Sequence, residues 1–103
     1  MQTEFVYIWK YIVKEENIDE FLTAYGTKGE WIRLFKKSND YVQTKLFRYS
    51  INQSVFITID YWKNKEARDR FISTHQSEYD EIDKRCENLT LKEEFIGDYF
   101  LVK

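Results

Sequence analysis

Few side chains in this sequence are suited to chemistry, and they are spread along the chain. His75 is the only histidine. An imidazole titrates near neutrality, so His75 is a candidate general acid or base. The alternative is a histidine at a helix C-terminus or an interface, with no chemical duty. Trp62 ends an alternating run in which Phe56, Thr58, Asp60 and Trp62 share one strand face. It offers an apolar wall and an indole N–H, or else simply anchors a core. Asp60, two residues before it on that face, is either an acid or base or the partner of a nearby cation such as Arg48. Pairing is the commoner use of such an aspartate.

Tyr25 and Trp31 flank a break from Gly26 to Gly29. They form either the mouth of a pocket or the packing around a turn. Tyr79 and Asp83 stand four apart on a helical stretch. The tyrosine is the one expected to face a pocket, whereas Asp83 and Arg85 are expected at solvent or an interface. Cys86 falls on a helical core stripe, where an inert buried thiol is expected. The sequence contains no Ser-His-Asp or Cys-His arrangement, and the Gly26–Gly29 break lacks the spacing of a phosphate-binding loop.

The elements that must position these groups are legible from periodicity. Glu4 to Val13 alternates, with Phe5, Tyr7, Trp9, Tyr11 and Val13 on one face and Val6, Ile8 and Ile12 on the other. Ile18, Phe21, Leu22 and Tyr25 form one helical stripe, which Gly26 is expected to end in a left-handed conformation. Trp31, Leu34 and Phe35 predict a short second helix. Tyr41–Tyr49 and Val55–Trp62 read as a hairpin around Ser50–Ser54. Asn64 is a natural N-cap for a helix carrying Ala67, Phe71, Ile72 and His75. A break near Gln76-Ser77 separates it from a helix carrying Tyr79, Ile82, Cys86 and Leu89. Phe95–Val102 is the last strand, with a bulge or kink at Gly97. The order strand, helix, strand, strand, helix, strand predicts an α+β fold of the ferredoxin-like βαββαβ kind with a four-stranded antiparallel sheet.

A chain of 103 residues suits one domain, 1–103, and can bury a core without metal or disulfide. A net charge of -2, from 16 basic and 18 acidic residues, lacks the positive field that nucleic-acid binding needs. The lone Cys86 and the lack of a His/Cys cluster offer no zinc site and suit a reducing compartment. The sequence shows neither a signal peptide nor a membrane span, so a soluble cytoplasmic protein is expected.

Two helical regions cover one face of a four-stranded sheet. The other face is apolar here, and each large exposed side chain forgoes about 1.5–3 kcal/mol. A homodimer with sheets packed face to face resolves this.

The stretches Trp31-Ile32-x-Leu34-Phe35, Ile59-Asp60-Tyr61-Trp62-Lys63-Asn64-Lys65, and His75 through Glu78-Tyr79 to Asp83-x-Arg85-Cys86-Glu87 carry a resemblance. The chain resembles the antibiotic biosynthesis monooxygenase family of dimeric α+β barrel proteins from Phe5 to about Phe95. The resemblance implies a pocket between the sheet and its own helices, open to a small aromatic or apolar ligand. It also implies oxidation of an electron-rich aromatic substrate by molecular oxygen, without metal, flavin or other cofactor. Trp62 matches the family's strand-end tryptophan. The asparagine often found four residues earlier is Thr58 here, which removes an amide donor. Trp62 and His75 are then the candidate catalytic residues, with Tyr25, Trp31, Thr58, Asp60, Phe71 and Tyr79 lining the substrate pocket. A haem-degrading relative would need an asparagine in the first strand and a tryptophan where Phe71 aligns, and this chain has neither. A non-catalytic dimeric module that binds a ligand or partner is the alternative.

Overall fold

The structure, a computed structural model, describes residues 4–102. The central strand is β1 (Phe5–Val13), whose inward side chains alternate with half-buried outward ones. It pairs antiparallel with β3 (Val55–Trp62) on one side and with β4 (Thr90–Phe100) on the other. The edge strand β2 (Tyr41–Arg48) pairs antiparallel with β3, giving the order β2-β3-β1-β4. This is the expected ferredoxin-like sheet.

The helices α1 (Ile18–Tyr25), α2 (Glu30–Phe35), α3 (Lys65–Thr74) and α4 (Gln76–Cys86) connect the strands. Asn64 caps α3 as expected, its side-chain oxygen accepting from the Ala67 N–H at 2.8 Å. The break between α3 and α4 falls at His75, one residue before the expected place, with φ -108° and ψ 28°.

Register confirms the reading of the strand faces. Tyr7 lies opposite Asp60, Trp9 opposite Thr58 and Tyr11 opposite Phe56, so the odd positions of β1 and the even positions of β3 share the inner face. There Phe5, Tyr11, Phe56 and Trp62 meet Phe21, Phe35 and Phe71 from the helices. Each of these rings removes roughly 150–250 Å² from water, and that burial holds the helical layer to the sheet.

Two expectations change. The last strand begins at Thr90, not Phe95, because the polar run Thr90–Glu94 pairs with the far half of β1. With Leu91 as its one apolar residue, the stretch Thr90-Leu91-Lys92-Glu93-Glu94 offers no apolar alternation from which to read this edge strand. Gly26 has φ -85° and ψ -174°, which is extended rather than left-handed. Glycine is needed there because a Cβ would lie 2.5 Å from the Leu22 carbonyl oxygen.

Gly97 does carry the expected irregularity. The register shifts between the pairs Ile8–Gly97 and Trp9–Phe95, leaving Ile96 as the extra residue. Gly97 has φ +156°, a backbone region that L side chains rarely adopt. A Cβ there would also sit 3.1 Å from the Tyr99 ring. Gly97→Ala is therefore expected to lower the unfolding free energy by about 1–3 kcal/mol in urea titration. An unchanged midpoint would show that the irregular strand does not need glycine.

Candidate functional site

Between the sheet and its helices lies a cavity of about 250 Å³. Its floor is built from the inner face of the strands. Asp60 and Thr58 come from β3, Tyr7 and Tyr11 from β1, and Thr44 from β2. Its wall is aromatic. Tyr25 closes α1, Trp31 opens α2, and Tyr79 projects from α4. Ring centroids are 5.0 Å apart for Tyr11–Tyr25, 6.1 Å for Tyr25–Trp31 and 4.9 Å for Trp31–Tyr79. The short turn from Gly26 to Gly29 brings the end of α1 and the start of α2 to the same wall.

Asp60 is the chemical centre. Only 6% of it is exposed, in the middle of a strand. Burial pushes its carboxyl up to about 7, while hydrogen bonds from the Thr44 and Tyr7 hydroxyls and the charge of Arg68 pull the other way. Thr44 donates its hydroxyl proton to Oδ1 of Asp60, and Tyr41 Oη lies 2.7 Å from Thr44 Oγ1. The result is a short relay, Tyr41–Thr44–Asp60, that ends at the cavity floor. Beside it, Tyr11 Oη and Thr58 Oγ1 share a hydrogen bond of 3.2 Å. Burial also pushes the Tyr79 hydroxyl up to about 12, and it raises Tyr7, Tyr11 and Tyr25 above the usual tyrosine range. These phenols therefore act as neutral hydrogen-bonding groups at ordinary pH.

The expected pairing of Asp60 with Arg48 does not occur. Arg48 lies opposite Phe56, four positions along β3 from Asp60, or about 13 Å at strand rise. Its guanidinium instead sits 4.9 Å from the Phe56 ring centroid. The buried cation of this region is Arg68 of α3. It lies 4.5 Å from the Tyr7 ring centroid and is bound to Asp98 at 3.2 Å.

Of the residues singled out from sequence, Tyr25, Trp31, Thr58, Asp60 and Tyr79 line one cavity. Trp62, His75 and Phe71 do not. Trp62 is 1% exposed and packs between Phe35, Tyr41 and Phe71 at centroid distances of 5.4–5.6 Å. Its indole N–H is buried without a protein partner, as is that of Trp31 on the cavity wall. His75 stacks on Phe71 at 4.2 Å and places Nδ1 3.2 Å from the Phe71 carbonyl oxygen, at the junction of α3 and α4. Phe71 fills the space between His75 and Trp62, so neither ring of that stack reaches the cavity. Cys86 is buried, as expected.

Sequence reasoning did not find Tyr7, Tyr11, Thr44 or Glu93 as cavity residues, and it put Asp83 at solvent or an interface. One signal was available for the floor. Polar Thr58 and Asp60 occupy inward positions of an otherwise apolar strand face, and inward polar groups need partners on the neighbouring strands. Among the described residues no group of His, Cys, Asp and Glu side chains converges as a metal site would require. No helix among them is long and apolar enough to cross a membrane.

The raised carboxyl of Asp60 has a stability consequence of definite sign. Its pKa of about 7 in the fold lies above the ordinary aspartate value of 3.8. Its contribution is then most favourable in acid, declines as pH rises from about 4 to 7, and is flat beyond. Asp60→Asn should therefore gain stability relative to wild type across that window, on the order of a few kcal/mol. Chemical denaturation at pH 4, 6 and 8 measures it, and a difference that stays constant with pH would contradict the assignment.

No family model matches the sequence, and no curated protein matches it. Solved structures do. SnoaB, a cofactor-independent oxygenase from Streptomyces nogalater, superposes with a TM-score of 0.73 at 15% identity, over 98% of this chain and 95% of that one. A protein described as an antibiotic biosynthesis monooxygenase superposes with a TM-score of 0.63 at 16% identity, over 96% and 97% of the two chains. A NIPSNAP family protein from Agrobacterium tumefaciens gives 0.67 at 14% identity, over 96% and 91%. At such identities the likeness is one of fold. The sheet order, the helical layer and these superpositions together show that this chain shares the fold of these proteins.

Proposed function

We propose that the protein is a small-molecule oxygenase that oxidises an electron-rich hydroxylated aromatic ring with molecular oxygen, using Asp60 as the proton acceptor. The observation that carries this reading is a buried carboxyl titrating near neutrality at the floor of a ring-lined cavity. The oxygenases that share the fold lend it support. A cavity of about 250 Å³ accepts a compact ring system rather than a long chain.

The chemistry needs little beyond what these residues supply. Asp60 takes a proton from the substrate, and the resulting anion gives one electron to oxygen. The radical pair combines to form a carbon–oxygen bond, yielding a peroxide anion on the ring carbon. The proton held by Asp60 passes to the peroxide, and the single hydrogen of that ring carbon leaves with the outer oxygen as water, so that a carbonyl replaces the C–H bond. One oxygen atom stays in the product and the other leaves as water, so the substrate supplies every electron. Tyr7 and Thr44 hold the carboxyl in place. The indole N–H of Trp31 is buried within the wall, facing Tyr25 and Cys86, and Trp31 serves there as an aromatic surface. Trp62 and His75 act in this reading as packing that fixes the inner face of β3 and the α3–α4 junction.

We further propose that the working unit is a homodimer joined through the open sheet face. Val6, Ile8, Ile57 and Ile59 stand half-buried there, and the large side chains Phe47 and Tyr99 remain about half exposed at 48% and 47%. Such a face is costly for one subunit in water.

Two experiments test these proposals. Oxygen uptake with dihydroxy-aromatic substrates should fall about 10²-fold or more in Asp60→Asn and stay within about threefold in His75→Gln. Its pH profile should rise through about pH 7 with the carboxyl. Equal loss in both variants, or no uptake with ligands that demonstrably bind, would leave a binding module instead. Sedimentation at micromolar concentration should give a dimer that Ile59→Lys dissociates. A stable wild-type monomer would sink the second proposal.

A further inference from the structure

The cavity has a charge character that the oxygenase reading does not require. Its lining includes three acidic residues, Asp60, Asp83 and Glu93, and among the described residues no lysine, arginine or histidine lines it. Asp60 is at the floor, whereas Asp83 of α4 and Glu93 of β4 are exposed side chains on opposite elements. Arg68, the cation that reaches this region, is engaged elsewhere by Asp98 and Asp69 and lies against Tyr7 and Phe5. Burial raises the Glu93 carboxyl, the neighbouring charge of Asp83 raises it further, and a hydrogen bond from the Tyr25 hydroxyl pulls the other way. The two therefore repel each other, and among the described residues no cation lines the cavity to offset them.

The rest of the wall is suited to the same kind of visitor. Tyr11, Tyr25, Trp31 and Tyr79 form a chain of rings, each within 6.1 Å of the next. The face of an aromatic ring carries negative potential, and rings gathered around a space attract a cation more than they do a neutral group. A carboxylate-bearing ligand would instead meet three acids of like charge in a site partly shielded from water. Aromatic faces and carboxylates come from different strands and helices, so this is a property of the assembled cavity rather than of one acidic segment.

We infer that the cavity selects a ligand bearing a protonated amine, so that the substrate class is a hydroxylated aromatic amine rather than a neutral or acidic phenol. The inference rests on reading this cavity as the substrate site. The ring of such a ligand lies against the aromatic wall. Its phenol reaches Asp60, and its ammonium group lies between Asp83 and Glu93. The two acids at the mouth act as specificity determinants, and Asp60 acts on the reacting group.

The test uses three probes with one ring and three charges: tyramine, 4-ethylphenol and 4-hydroxyphenylacetate. Titration calorimetry on the full chain should show tyramine binding at least about tenfold more tightly than 4-ethylphenol, with 4-hydroxyphenylacetate weakest. The double variant Asp83→Asn, Glu93→Gln should bring tyramine and 4-ethylphenol to within about twofold of each other, as expected when the charged partners of an ammonium are removed. Both positions are exposed, so the variant should fold. Equal affinity across the series, tightest binding of the acid, no measurable binding of any probe, or an amine preference that survives in the double variant would each overturn the inference. Oxygen uptake with dopamine, 4-ethylcatechol and 3,4-dihydroxyphenylacetate separates the two readings. Amine-selective binding without uptake removes the oxygenase and keeps the selectivity. Uptake that favours the neutral or acidic catechol does the reverse.

Discussion

Placing a carboxyl in the middle of a sheet's inner face is expensive, and much of the local architecture answers to that one placement. An ionised group deprived of water costs several kcal/mol unless partners or a proton compensate it. Here both remedies are partial. The Thr44 hydroxyl donates to Asp60 from the next strand, Tyr7 faces it from the other side, and the carboxyl still titrates near neutrality. Full pairing with arginine would have held the carboxyl ionised. The chain instead keeps Arg68 against the Tyr7 ring and ties it to Asp98, close enough to be felt and too occupied to neutralise.

The aromatic residues play two roles that their number alone does not separate. One set, Phe35, Tyr41, Trp62 and Phe71, packs tightly in edge-on and tilted pairs and carries the adhesion between helices and sheet. A second set, Tyr11, Tyr25, Trp31 and Tyr79, faces a void. The division follows from where each helix ends. Tyr25 is the last residue of α1 and Trp31 is near the first turn of α2, so the turn between them holds two rings at the cavity edge. Phe35 belongs to both sets and joins the packed region to the open one.

Much of this was legible in the sequence, and the gaps have physical causes. Alternation placed Phe5 through Val13 and Phe56 through Trp62 on the correct faces, because burial on one side of a strand leaves a period of two. Asn64 was legible because capping chemistry is local. Tyr25, Trp31, Thr58, Asp60 and Tyr79 could be named as a set, through the resemblance and the break at Gly26–Gly29. His75 and Trp62 could not be placed relative to the cavity, because a ring's direction depends on what packs beneath it. Phe71 is what packs beneath both. Tyr7 and Thr44 required the register between strands, which no single strand encodes. Asp83 reads as a solvent or interface charge, and Glu93 carries no signal of its own, until α4 and β4 are brought to the same opening.

The extra residue in β4 has a consequence for how the cavity's charge tolerates drift. With Ile96 bulged out, Phe95 stands beside Trp9 and Glu93 beside Tyr11, on the inner face. Were the ladder regular from Gly97 onward, every position beyond it would turn over, and Ile96 would replace Phe95 on that face. Glu94 would then take the place of Glu93. The acidic doublet Glu93-Glu94 thus makes the bulge immaterial to charge: with it or without it, a carboxylate arrives opposite Tyr11. The cavity's shape depends on the irregular pairing, whereas its sign does not.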